Sequence, residues 1–276
     1  MSQIIEAKLG QNLQMLMDQT EPGSVIRLPA GEWRQKLTVR TPGLTLLGAG
    51  AGQSRIVYGD YAKKPDAQGR EYNTFRTWTL AVINDALRPE EKGQEVALSV
   101  CGDDFRMERC TLSSTQDTLF LGPLPPDLIA RYEGFLLDEL RQDRLLRQRI
   151  SDCRIEGTVD FIFGCGDAVF DGCELRSLPD VQGVGYVAAP AHSLEQEKGF
   201  LFQNCAFTCA EGVAPGSIYL ARPWRDYGRA VFRRCSYGPH IAAAGFDKWN
   251  DTERDKTARF REEPPVPGRV DWVNRR

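Results

Sequence analysis

Four short blocks of this 276-residue sequence set polar or charged residues inside apolar, strand-like runs. They are Gly93-Gln94-Glu95-Val96-Ala97-Leu98, Gln116-Asp117-Thr118-Leu119-Phe120, Gly157-Thr158-Val159-Asp160-Phe161-Ile162-Phe163-Gly164 and Leu220-Ala221-Arg222-Pro223-Trp224. A carboxylate in such a setting is costly unless something pairs with it. Together the blocks supply two carboxylates (Asp117, Asp160), one guanidinium (Arg222) and two neutral amides (Gln94, Gln116). That set is sufficient for ester hydrolysis. One carboxylate, kept ionised and aimed by the guanidinium, can attack an ester carbonyl. The other, protonated, can give its proton to the departing alcohol and recover one from water. Neutral amides suit an oxyanion hole, because they stabilise developing charge without neutralising the nucleophile.

Groups so far apart in sequence converge only if repeating elements stack them. Five of the eight cysteines, Cys110, Cys153, Cys173, Cys205 and Cys235, recur in one pattern: an apolar residue, two variable ones, Cys, one variable residue, then an apolar or aromatic one. Their separations of 43, 20, 32 and 30 residues resemble the period of a solenoid coil lengthened by insertions. A small buried thiol at the same point of successive coils would form an internal ladder. Short alternating segments near 37–39, 44–47, 55–58, 95–100, 160–163 and 217–220, broken by Gly, Asn, Asp and Pro, read as strands. The expectation is an all-β parallel β-helix forming one domain over 1–276, its coils about 4.8 Å apart.

Three segments depart from the strand pattern. Residues 1–20 read as an N-terminal capping helix, with Leu9, Leu13, Leu16 and Met17 at helical spacing. Residues 127–148, after Gly122-Pro-Leu-Pro-Pro126, are charged and Leu-rich, and read as a helical excursion from one coil. The Pro-interrupted tail from 251 to 276 is expected to lie over the outer surface.

Composition removes several alternatives. A net charge of −3 gives no footprint for nucleic acid. No G-x-S-x-G is present, and His192 and His240, the only histidines, read as surface residues. Neither they nor the isolated Cys205/Cys209 pair makes a metal site, so no metal or cofactor is expected. Eight cysteines are too sparse for a disulfide scaffold, and Gly48-Ala-Gly50-Ala-Gly52 reads as a turn between coils rather than a phosphate loop. No basic start leads into an apolar core and no run is long enough to span a bilayer, which points to a cytoplasmic protein without a membrane partner, or to a secreted one if a signal segment has been removed; a monomer is expected.

At the four blocks the sequence closely resembles the pectin methylesterase family, with Ala221 in place of a family Gly and Glu95 in place of a family Ala. The resemblance runs in the family's order from about Val25 to Asn250. It implies a right-handed parallel β-helix acting on methyl-esterified galacturonan, as polysaccharide or oligosaccharide. Carried over by position, Asp160 is the nucleophile, Asp117 the acid and then base, and Arg222 the partner of Asp160. Gln94 and Gln116 are the oxyanion donors, while Trp224, Phe163 and, less directly, Tyr227 line the sugar cleft. In a regular strand Phe163 would face away from Asp160, so a bend near Gly164 is expected. The family often joins the two Asp motifs by a shorter turn, so the excursion is expected to border the cleft and to favour short substrates. Two other functions compete: a β-helix glycosidase with paired Asp residues, and a non-catalytic carbohydrate-binding relative.

Overall fold

A computed structural model describes residues 3–82, 96–132 and 144–274 of the chain. Every pairing between its named strands is parallel. Within a coil the chain visits three walls in turn, as in Arg147–Ser151, Arg154–Gly157 and Val159–Gly164, before the next coil repeats the circuit. The parallel β-helix read from the repeats is therefore the architecture found. Among the described residues the third wall carries seven strands: Leu37–Val39, Leu80–Val82, Leu98–Val100, Leu119–Leu121, Val159–Gly164, Gly185–Pro190 and Ile218–Ala221.

The cysteine repeat has a physical basis. The residue before each repeated Cys has a left-handed backbone: Arg109 (φ 51°), Asp152 (51°), Gly172 (65°), Asn204 (54°) and Arg234 (50°). That turn leads from the first wall to the second. The four later thiols donate to a carbonyl one coil back: Cys153 to Met107, Cys173 to Ile150, Cys205 to Phe170 and Cys235 to Phe202. Beside them runs a phenylalanine stack, Phe170–Phe202 at 4.6 Å and Phe202–Phe232 at 4.9 Å between ring centroids. A thiol fits there because it is small and bonds only weakly, and none of the eight cysteines, all among the described residues, is in a disulfide.

The ends and the excursion differ from expectation. Ile4–Glu6 is a strand paired with Val25–Leu28, not the start of a helix. Helix α1 spans only Leu13–Asp18, capped by Asn12, whose side chain accepts from the Met15 amide; Leu9 is exposed. Gly10 (φ 80°) and the Asn12 cap restrict the helix to this start. Helix α2 spans Pro126–Arg131, and by residue 147 the chain is already the strand Arg147–Ser151, so the excursion is not helical to 148. Leu145 is exposed and Leu146 buried; Leu136, Leu137 and Leu140 lie outside the described residues. The tail is not an outer strap. Arg259–Glu263 extends the first wall, and Phe260 and Trp272 close the core around Phe246. Alternating charged residues around Phe260 fit a strand with one buried face.

Candidate active site

The third wall gathers the charged residues of the sequence blocks. Asp117 precedes Leu119–Leu121, Asp160 lies in Val159–Gly164, and Arg222 follows Ile218–Ala221. Both Asp residues have left-handed backbones, Asp117 at φ 64° and Asp160 at φ 50°, a conformation Asp tolerates better than most residues. At Asp160 this turn shifts the register between Val159 and Ile162. Phe161 and Ile162 both enter the core, and Phe163 emerges into a second cluster on the wall's other side. The bend that realigns Phe163 is thus at Asp160 itself and not near Gly164.

Arg222 grips Asp160 with two donors, Nε to Oδ1 at 2.9 Å and a terminal nitrogen to Oδ2 at 2.6 Å. Its guanidinium carbon lies 3.7 Å from the Tyr186 ring centroid and 4.0 Å from that of Trp249. Two rings so close can only cover its opposite faces, which leaves the edge toward Asp160 as the working one. Trp249 has φ 72°, a strained backbone for so bulky a residue, and its amide donates to Asp247 Oδ1. Neither Tyr186 nor Trp249 stands out in the sequence. Tyr186 pairs in register with Val159 and Tyr219, and only the coil count reveals that its strand sits between the Asp160 strand and the one that leads to Arg222.

Both carboxyls are buried, Asp160 with 6 % and Asp117 with 8 % of its surface exposed. Burial raises both above the ordinary carboxylate range. At Asp117 the nearby Asp160 charge adds to the rise, and Arg222 opposes it only through space, so its pKa is raised well above the usual value. At Asp160 burial is the largest effect, the two hydrogen bonds and the charge of Arg222 oppose it, and the Asp247 charge adds to the rise. The two acids are therefore treated unequally: both are raised, but only at Asp160 do direct hydrogen bonds from Arg222 favour the ionised form. That inequality is what a nucleophile beside a general acid requires.

Around the pair stands an aromatic wall. Phe163 lies 5.1 Å from Phe120, 5.7 Å from Trp224 and 6.4 Å from Phe75. Phe163 is 4 % exposed and supports this wall from behind, while Trp224 is half-buried. The start of the excursion joins it: Tyr132 packs edge-on against Phe75, Leu128 is buried in the same cluster, and Asp127 of α2 pairs with Arg225 at 2.7 Å. Tyr227 is not brought to this wall by any contact among the described residues; its carbonyl is held by Arg259 of the first wall. Gln116 is half-buried next to Asp117, and Gln94 lies outside the described residues. Ala221, the departure from the family pattern, turns its methyl into the core and away from Arg222.

Both histidines are buried, contrary to expectation. His192, between small residues that let it approach the wall, accepts from the Arg229 amide at Nδ1 and bonds the Gly166 carbonyl through Nε2. Burial pushes its pKa down to about 4. His240 is also buried, and neither ring nitrogen has a partner among the described residues. Among the described residues no group of His, Cys, Asp or Glu could hold a metal, and no helix is long and apolar enough to cross a membrane.

A Pectinesterase family model matches residues 138–272. Among curated proteins, pectinesterase QRT1 of Arabidopsis thaliana is 28 % identical over 267 residues, covering 90 % of this chain and 63 % of its own length. Pectinesterase 31 of the same plant is 31 % identical over 175 residues, 63 % of this chain and 46 % of the relative. The chain spans between about a third and just under two thirds of the length of the first curated relatives it matches. Among solved structures, the pectin methylesterase from carrot has a TM-score of 0.75 at 23 % identity, covering 98 % of this chain and 87 % of that one. The pectin methylesterase PemA from Erwinia chrysanthemi has a TM-score of 0.70 at 23 % identity, covering 86 % and 79 %. A pectin methylesterase in complex with a hexasaccharide has 0.72 at 23 %, covering 87 % and 79 %. These relatives give no support to the expected cytoplasmic location.

Proposed function

Since the chain belongs to the pectinesterase family, we propose that it hydrolyses methyl esters of galacturonan, with Asp160 as nucleophile and Asp117 as acid and base. The observation that carries this reading is the unequal treatment of two buried carboxylates, of which Asp160 alone is bonded by Arg222. An Asp160 oxygen attacks the ester carbonyl carbon, and the carbonyl oxygen takes up the negative charge. Gln116, beside Asp117, is suited to donate to that oxyanion; the same role for Gln94 rests on the family resemblance. The intermediate collapses by losing the methoxy group, which takes the Asp117 proton and leaves as methanol. The product is a mixed anhydride between Asp160 and the galacturonate carbonyl. Water then gives a proton to Asp117 and attacks the galacturonate carbonyl, returning Asp160 as a carboxylate and the sugar as a free acid. Trp224 offers the ring face for the pyranose C–H surface.

The comparisons name esterases, and nothing in the site favours backbone cleavage instead. The decisive measurement is methanol release from methylated galacturonan. Asp160→Ala is expected to lower it by at least about a thousandfold, as loss of a covalent nucleophile does, without new reducing ends from either protein. Undiminished methanol release in the variant would remove Asp160 from the mechanism, and new reducing ends from the wild type would favour a glycosidase.

A further inference from the structure

The first wall, which carries none of the site residues, has a groove of about 830 Å³ on its outer face. Its floor is one register row of half-buried aliphatic residues, Val169, Leu201 and Val231, on three neighbouring strands. The row continues into exposed arginines, Arg149 and Arg106 at one end and Arg261 at the other. Each has a solvent-exposed ion pair, with Asp171 at 4.0 Å, Asp104 at 3.1 Å and Glu263 at 3.1 Å respectively, which an incoming polyanion can replace. From Arg149 to Arg261 is four strand spacings, about 19 Å at ~4.8 Å each. Eight cationic side chains and five carboxylates line the groove, on a chain whose net charge is −3.

Part of that positive charge is uncompensated. Arg229 and Arg259 are register neighbours on adjacent strands, a like-charge placement that disfavours itself unless an anion joins it. Arg259 gives its hydrogen bonds to the carbonyls of Ser193, Leu194, Gln196 and Tyr227, which neutralise nothing. The Arg229 guanidinium and the exposed Lys198 make no hydrogen bond or ion pair among the described residues. Asp167, whose carboxyl feels the charges of both, is 7 % exposed, and its Oδ1 has no partner among the described residues, while Glu195 acts on Arg259 only through space. Burial also raises the Asp167 pKa, weakening it as a counter-charge.

We propose that this groove binds de-esterified galacturonan, the acid product of the reaction proposed above. An apolar floor with cations at both ends matches an extended chain that carries repeated carboxylates, and one small anion cannot bridge that span. The strands beneath the floor are hydrogen-bonded on both sides, so their backbone offers nothing to an added peptide strand. Recognition must come from side chains, and a methyl-esterified chain, lacking the charge, binds more weakly. The identity of the polymer rests on the esterase reading; the anionic character of the ligand does not.

The test uses the full chain, Arg149→Glu/Arg261→Glu, and the exposed-site variant Lys198→Glu in case the double variant fails to fold. Affinity for fully demethylated polygalacturonate is measured by calorimetry at low and high salt, alongside methanol release from a short methylated oligomer. The expected result is at least tenfold weaker polymer binding in the variants, a salt-sensitive wild-type affinity, and oligomer turnover within twofold of wild type. Unchanged polymer affinity in a folded variant overturns the proposal. So does binding that Trp224→Ala abolishes, which would place the polymer in the catalytic cleft. A wild-type dimer in light scattering that the charge reversals dissociate would assign the groove to a second copy and also overturn it. Arginine-dependent binding in a protein that releases no methanol would leave the groove standing and sink the esterase reading instead.

Discussion

Asp117 is a buried acid, and the one cation acting on it among the described residues, Arg222, is already committed to another carboxylate. Its folded-state pKa lies above its unfolded value, so the folded chain binds that proton more tightly. A raised carboxyl therefore contributes stability at low pH and loses it as pH rises through the folded pKa. Above that pH an ionised Asp117 burdens the fold, and Asn in its place would not. Asp117→Asn is expected to raise Tm by a few degrees at neutral pH, with the gain shrinking as the pH is lowered toward 4. On the proposed mechanism the same variant cannot give a proton to the departing methoxy group, so its activity should fall at least about a hundredfold. Thermal melts over a pH series, paired with methanol assays, check both; a Tm unchanged at every pH would mean that Asp117 is not held in its neutral form. The aromatic faces over Arg222 act at this scale as well, since they leave the guanidinium one productive edge.

At the scale of elements, the site depends on backbone conformations that most residues would resist. The left-handed turn at Asp160 shifts the register and places an odd-spaced Phe163 behind the same wall. Gly164, ending that strand at φ 125°, lies so close to the preceding coil that a Cβ would stand 2.1 Å from the Leu121 carbonyl oxygen. Backbone there cannot move without parting two hydrogen-bonded strands. Gly164→Ala is expected to cost about 3 kcal/mol or more, or to prevent folding, read from denaturant melts. A loss below about 1 kcal/mol would show that this approach is softer than it looks. By contrast the Asp127–Arg225 pair that ties α2 to the aromatic wall is solvent-exposed at Asp127 and contributes little stability. Its value lies in where it sets Leu128 and Tyr132, against the Phe75 side of the wall.

Across the whole molecule a solenoid must close its two open ends, because an end coil has a neighbour on one side only. Here α1 buries Leu13 and Met17 near one end, and Trp272 with Phe260 covers Phe246 at the other. Trp272→Ala is expected to destabilise the fold by about 3 to 5 kcal/mol, a fall in Tm of roughly 10 °C. Calorimetry checks this, and a variant that melts with the wild type would show that the last residues are not a plug.

Much of this protein is written in local pattern. The Cys repeat marks the coil because the same turn and the same small buried side chain recur wherever the chain leaves the first wall. Asp117, Asp160 and Arg222 were legible because charge inside an apolar run has few purposes. Other features are invisible in one dimension. Tyr186 and Trp249 have ordinary neighbours in sequence, and only coil stacking carries them to Arg222. The buried state of His192 depends on a carbonyl 26 residues away and an amide 37 residues away. The tail reads as polar, yet Phe260 and Trp272 find a core edge that exists only after every earlier coil has formed. Residue type and repeat thus determined the chemistry available and the architecture; the register between coils decided which groups meet, which of two buried acids Arg222 bonds, and where cations crowd on one face.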